Sequence, residues 1–183
     1  MATPLSNILN AKASISVAAN SQQSLDNSTP NDPFSMPMSI SWAFGSGASE
    51  FDLVFHDTRI VAAAGNEELD LAGSLTDGFG NTLTYANIKV LAIMNVSDQT
   101  LTTPAHTATA AIINIGGAAA NTWDGPFNDS TDEIILGAGD MFIVTRKAAA
   151  GMAVTAGTGD LLRIEETATL EAAYRIALFG DST

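Results

Sequence analysis

Residues 51–96, FDLVFHDTRIVAAAGNEELDLAGSLTDGFGNTLTYANIKVLAIMNV, decide the fold class. Phe51, Leu53 and Phe55 alternate with Asp52, Val54 and His56, the two-residue period of a half-buried strand. In 67–71 the leucines Leu69 and Leu71 take one side and the acids Glu68 and Asp70 the other. Asp77-Gly78 and Gly80-Asn81 flank Phe79 and mark a tight turn. Leu83 and Tyr85 alternate again, and Ile88 to Val96 is almost wholly apolar, as a strand covered on both faces would be. The stretch is extended chain folded back on itself, and nothing in it has the spacing of an active site.

The same period extends in both directions. Upstream, Ile40, Trp42 and Phe44 alternate with Ser39, Ser41 and Ala43, and Gly45 to Ser49 supplies a flexible turn, so 39–56 is predicted to be a hairpin. Ile15 and Val17 alternate with serines, which predicts a short strand. Residues 21–38 are polar and hold Pro30, Pro33 and Pro37, a long connection or an extended arm. Residues 1–38 bury too little to order themselves alone. They are expected to form an arm that reaches a neighbouring subunit, with Leu5, Ile8 and Leu9 as its anchor.

Downstream, the polar 97–107 reads as a loop and 108–115 as a strand. Residues 118–131, with Trp123, Gly125, Pro126 and Phe127, read as a long ordered loop. Residues 134–136 and 141–145 are predicted to pair around Gly137-Ala138-Gly139-Asp140. Residues 152–155 and 161–164 are predicted to pair around Gly157-Thr158-Gly159-Asp160. Residues 172–179 make a further strand. Long helical periodicity is absent, with one helical turn at most over 167–174. About ten short strands at roughly 8–12 residue spacing predict an all-β chain, an antiparallel β-sandwich over 39–183. Its expected core includes Ile40, Trp42, Phe44, Leu53, Phe55, Ile88, Val90, Phe142, Val144, Ile176 and Leu178.

Composition narrows the function classes. The 183 residues carry 20 acids against 7 Lys+Arg, a formal charge of −13. Phosphate contact needs clustered Lys and Arg. Here Lys12, Arg59, Lys89, Arg146, Lys147, Arg163 and Arg175 are scattered, which argues against a nucleic-acid surface. There is no cysteine, so disulfides and thiolate metal sites are excluded. The first residues lack a basic segment and an apolar run of signal-peptide type. No stretch reaches transmembrane-helix length. The expectation is a soluble protein with no membrane partner.

The chemistry-bearing residues are few. His56 and Asp57 are adjacent, and neighbours on a strand point to opposite faces, so they are poor candidates for a hydrogen-bonded acid–base pair. His106 lies in a Thr/Ala-rich loop and is expected to be solvated. Two isolated histidines make no zinc site, and no G-x-S-x-G elbow is present. The two G-x-G-D turns neither precede a helix nor carry a P-loop lysine. Residues 128–133, NDSTDE, crowd oxygen ligands as calcium loops do but lack the EF-hand spacing and its glycine. A solvated acidic loop accounts for them more simply. No cofactor and no catalytic set is expected. Of the aromatics, Trp42 falls in phase with the core. Trp123, with Phe127 in the Gly/Pro loop, is the candidate for a surface contact, either a subunit anchor or part of a sugar-stacking platform with Tyr85 and Tyr174.

FHDTR, LDLAGSLTDGFGNTLTYANIKVLAIMN, IGGAAANTWDGPFNDSTDEIILGAGDMFIVT and AGMAVTAGTGDLLRI together resemble small virion proteins encoded in tailed-phage structural gene clusters. The resemblance covers about residues 25–182. It implies a jelly-roll-like sandwich that decorates or cements a capsid from its outer surface, often at three-fold positions. The implied partners are the major capsid protein and further copies of the chain, with a trimer favoured. The implied place of synthesis is the bacterial host cytoplasm. Two alternatives stay open: a head-fibre base, tail or receptor-binding virion component, and a carbohydrate-binding module.

Overall fold

A computed structural model describes residues 10–22, 31–118, 120–127 and 129–183. Among them there is no helix, and twelve strands form three sheets. The main sheet has the order β10–β6–β12–β4, with β9 also paired to β6. These strands are β4 (Leu53–Val61), β6 (Asn87–Asn95), β9 (Met141–Thr145), β10 (Met152–Ala153) and β12 (Ala172–Asp181). The second sheet has the order β5–β11–β7–β8, from β5 (Asn66–Asp70), β7 (Ile113–Gly116), β8 (Glu133–Leu136) and β11 (Leu161–Glu165). The third joins β1 (Asn10–Gln22), β2 (Asn31–Phe44) and β3 (Glu50–Phe51).

The main and second sheets share one core. Leu53 and Phe55 of β4, Ile88, Leu91 and Ile93 of β6, and Ile176 and Leu178 of β12 cluster with Leu69, Ile113, Ile115, Leu162 and Ile164 of the second sheet. This is the layering expected of a β-sandwich. Along β4 and β11 residues alternate with the period read above, the buried ones facing the core. β6 is covered on both faces: Ile88, Lys89, Val90 and Leu91 are all buried. β12 runs between β6 and β4 and is antiparallel to both. Its register with β6 passes from Val90↔Phe179 directly to Ile88↔Gly180, so Lys89 is the extra residue of a β-bulge. Gly180 sits where backbone and ring close in: a Cβ there would lie 2.6 Å from Cδ1 of Tyr85.

Pairing departs from expectation in three places. The predicted 39–56 hairpin does not form, because β2 meets β3 in parallel at Ala43↔Glu50 and Phe44↔Phe51, while β1 is its antiparallel partner. Phe44, expected in the core, is 39% exposed. The strands around each G-x-G-D turn belong to different sheets: β8 pairs β7 while β9 pairs β6, and β10 pairs β6 while β11 pairs β5 and β7. Both turns are corners between layers. In each, the aspartate takes the place of a strand partner: Asp140 Oδ2 accepts from the Gly137 N–H at 2.9 Å, and Asp160 Oδ2 accepts from the Gly157 N–H. No helical turn forms at 167–174; β12 begins at Ala172. Phe142 and Val144 are half-buried against the core, as read from their period.

Candidate functional site

The largest departure lies in residues 21–38, which the prolines disguise. The described residues there are strand, not connection. β1 and β2 pair antiparallel from Asn10↔Ala43 to Gln22↔Asn31, a two-stranded ribbon of 13 register pairs. The strand runs unbroken through 38, the expected boundary between arm and domain. β3 touches β2 only at Ala43 and Phe44, so along 31–42 the ribbon has no third strand among the described residues. Residues 33–39 are all exposed.

The ribbon is two-sided. Phe34, Met36, Met38, Ile40 and Trp42 occupy the even positions of β2 and therefore one face. The register sets Ala19, Val17, Ile15, Ala13 and Ala11 opposite them. The odd positions carry Pro33, Ser35, Pro37, Ser39 and Ser41, opposite Asn20, Ala18, Ser16, Ser14 and Lys12. Exposure on the apolar face falls toward the root: 51% at Phe34, 43% at Met36 and Met38, 1% at Trp42. A two-stranded ribbon alone is marginally stable in water, and this one leaves Phe34, Met36 and Met38 of β2 exposed.

Trp42 fixes the root. It packs with Phe51 and Val90, and with the half-buried Ile40, Val54 and Phe179, in a cluster separate from the main core. Phe51 stacks on Phe179 with ring centroids 5.2 Å apart. The turn after β2 is held by Ala43 N–H to Ser49 O at 2.9 Å, Gly45 N–H to Phe51 O at 3.0 Å and Gly47 N–H to Glu50 Oε2 at 2.8 Å. Gly45 adopts φ +147°, and a Cβ there would strike the Glu50 carboxylate.

Elsewhere the titratable groups are tied into structure. His56 is exposed and lines a shallow depression with Asp57, Arg59, Glu68 and Ser74 to Gly78. Arg59 bridges Asp57 at 2.9 Å and Glu67 at 2.7 Å, and Glu67 also accepts from the Tyr174 hydroxyl. Hydrogen bonding to Glu67 raises the Arg59 pKa; burial, then the Glu67 charge, raises that of Tyr174. His106, expected to be solvated, is 4% exposed: Nδ1 lies 3.0 Å from Glu171 Oε1 and Nε2 3.2 Å from Ser97 O. Its loop folds back through the Leu101–His106 bridge.

Trp123 is corrected as well. It is fully buried in the main core and its Nε1 donates to Ala153 O at 2.8 Å, so it offers no surface contact. Phe127 is half-buried against that core. With Trp42, Tyr85 and Tyr174 also buried, none of the four tryptophans and tyrosines forms an exposed sugar platform. Leu5, Ile8 and Leu9 lie outside the described residues. In the acidic loop Asp129 Oδ1 accepts from the N–H and hydroxyl of Thr131, both at 2.9 Å, which holds its carboxyl below the usual range. Among the described residues no three His, Asp or Glu side chains are grouped to hold a metal ion. Among the described residues no helix is long and apolar enough to cross a membrane.

The ribbon was hidden because Pro33 and Pro37 read as loop. The signal that could have found it was the even-numbered series Phe34, Met36, Met38, continuing Ile40 and Trp42 without a phase break. No protein-family model, curated protein or solved structure matches this chain.

Proposed function

We propose that the protein is a structural virion protein that decorates and stabilises the capsid of a tailed phage through protein–protein contacts. The observation that carries this reading is the β1–β2 ribbon, an exposed amphipathic element whose apolar face needs a protein to cover it. Two further features support it. The sequence blocks that resemble phage decoration proteins span both main sheets. The chain passes repeatedly between those sheets, β4 to β5 to β6 and β10 to β11 to β12, as in a jelly roll. The acidic body faces outward from the shell and the ribbon reaches along it to neighbouring subunits.

Capsids lacking the protein, mixed with the purified chain, test the reading. Saturable co-sedimentation at a fixed copy number per shell is expected, together with a higher temperature of particle disruption. Absence of binding to the shell, with attachment to tail or head fibre instead, would move the protein to another virion position. Absence of binding to any part of the particle refutes the proposal.

A further inference from the structure

We infer that Phe79, at the tip of the turn over 75–83, is a plug that enters an apolar socket with a basic rim on a protein partner. The inference rests on the proposed function and deepens it: the socket belongs to the shell, and the body meets the shell at this turn. Phe79 is 82% exposed, more than any other large apolar side chain among the described residues. A single exposed apolar residue needs no explanation by itself. Its setting supplies one, in three parts.

The first is rigidity. Leu75 and Leu83, both buried, anchor the stem of the turn, and the Leu83 N–H donates to Leu75 O at 2.8 Å. Above them Thr76 bridges Thr82. At the tip, Asp77 Oδ1 accepts from the Phe79 N–H at 2.9 Å and the Asn81 N–H at 2.8 Å, and Oδ2 accepts from Asn81 Nδ2 at 2.9 Å. The Asp77 N–H donates to Asn81 O at 2.9 Å and the Gly80 N–H to Asp77 O at 3.0 Å. The backbone under the ring is therefore fixed before a partner arrives, which lowers the ordering cost of binding. Aromatic rings are enriched at the cores of protein interfaces.

The second is Gly78. Gly80 has φ +85°, which favours glycine. Gly78 lies outside that left-handed region, and a Cβ there would meet nothing within 4 Å. Neither backbone nor packing within the chain calls for glycine at 78, and glycine adds to the entropy lost on folding. With a glycine on each side, the ring stands on a bare neck that the walls of a socket can close around.

The third is charge. Beside the turn lies a depression of about 350 Å³ whose lining includes Asp57, Arg59, Glu68 and Asp77. Three carboxylates there are set against one guanidinium, which Asp57 and Glu67 already hold. The excess negative charge repels a second acidic copy and an anionic membrane, and it favours Lys or Arg at the rim of the socket.

Binding of wild type, Phe79→Ser, Gly78→Gln and Ile135→Ser to capsids lacking the protein tests the inference. Ile135 of β8, 65% exposed, controls for the loss of an exposed apolar side chain. Phe79→Ser and Gly78→Gln are expected to keep the wild-type far-UV spectrum and Tm and to bind the shell about tenfold or more weakly. Ile135→Ser is expected to bind as wild type does, and wild-type affinity to fall as salt rises. Wild-type affinity in Phe79→Ser or Gly78→Gln refutes this inference alone. So does an equal loss in Ile135→Ser, or an affinity that salt does not lower. Flotation of wild type, but not of Phe79→Ser, with zwitterionic vesicles would assign the ring to lipid and also overturn it. A shell that wild type leaves unbound refutes the proposed function, and this inference with it.

Discussion

Removing the Asp181 carboxylate should be among the most damaging single changes in the body. Asp181 and Lys89 are both fully buried, with Nζ and Oδ2 2.8 Å apart across the bulge between β6 and β12. Oδ1 accepts from Asn87 Nδ2 at 2.8 Å, while Oδ2 faces the ammonium without a hydrogen bond of good geometry. Lys89 Nζ also donates to Ala148 O at 3.1 Å and to Ala149 O. In Asp181→Ala those two carbonyls remain, but the buried ammonium has no counter-charge, a loss of about 3–5 kcal/mol. For a domain of this length each kcal/mol moves Tm by about 2–4 °C, so a fall of roughly 6–20 °C is expected. The double variant Lys89→Met/Asp181→Leu removes both charges and their desolvation cost together. It should lie within about 2 kcal/mol of wild type, since apolar replacement of a buried pair is often neutral or better. Differential scanning calorimetry and urea unfolding of Asp181→Ala, and of the cycle of wild type, Lys89→Met, Asp181→Leu and Lys89→Met/Asp181→Leu, measure the loss and the coupling. The reasoning fails if Asp181→Ala melts within about 2 °C of wild type, or if the double variant is as unstable as the single.

The remaining predictions concern titration and the two histidines. The chain has two tyrosines, Tyr85 and Tyr174, and burial raises both pKa values, with Asp52 and Glu67 adding to it. A phenol that ionises near pH 10 only when unfolded contributes stability that is complete below pH ~10 and lost as pH rises above it. Phenolate absorbance should therefore appear together with loss of the β spectrum, and a reversible titration near pH ~10 in folded protein would contradict this. Asp77 has its pKa lowered, chiefly by the Asn81 side-chain amide and then by backbone N–H groups of the turn. Its contribution is present above the ordinary carboxylate range and lost as pH falls through its folded value. Asp77→Ala should thus melt lower than wild type at neutral pH, with the gap closing in acid; a gap independent of pH counts against the assignment. His106→Ala should cost about 1–3 kcal/mol by emptying the space of a buried ring and removing its contacts with Glu171 and Ser97 O, while exposed His56→Ala should stay within about 0.5 kcal/mol. Neither should affect shell binding in protein that remains folded, and chemical denaturation with the co-sedimentation assay checks both.

Individual strands were legible and their partners were not. Leu53, Phe55, Leu69, Ile88, Ile176 and Leu178 showed their burial through local period alone. Pairing across a G-x-G-D turn is a different matter, because a corner between layers uses the same glycines and the same aspartate as a hairpin. Only the long-range contact of β9 with β6 and of β11 with β5 separates the two. Trp123 was misread for a related reason: a loop rich in glycine and proline suggested exposure, yet it folds over the core and its indole finds Ala153 O. The ribbon was the costliest omission. Proline argues against a strand paired on both sides, but along 31–42 β2 pairs β1 alone among the described residues, and an exposed ribbon tolerates what a buried strand would reject.

The place of β12 sets an order of events during synthesis. It is the strand between β4 and β6, and it leaves the ribosome after both. At about 5–20 residues per second, on the order of 4–15 s separate the completion of β6 from the arrival of residues 172–181. Through that interval two half-made edges wait with Leu53, Phe55 and Ile93 uncovered, and the ribbon has already emerged ahead of them. The nascent chain thus passes through a stage at which it is stickier than the finished protein.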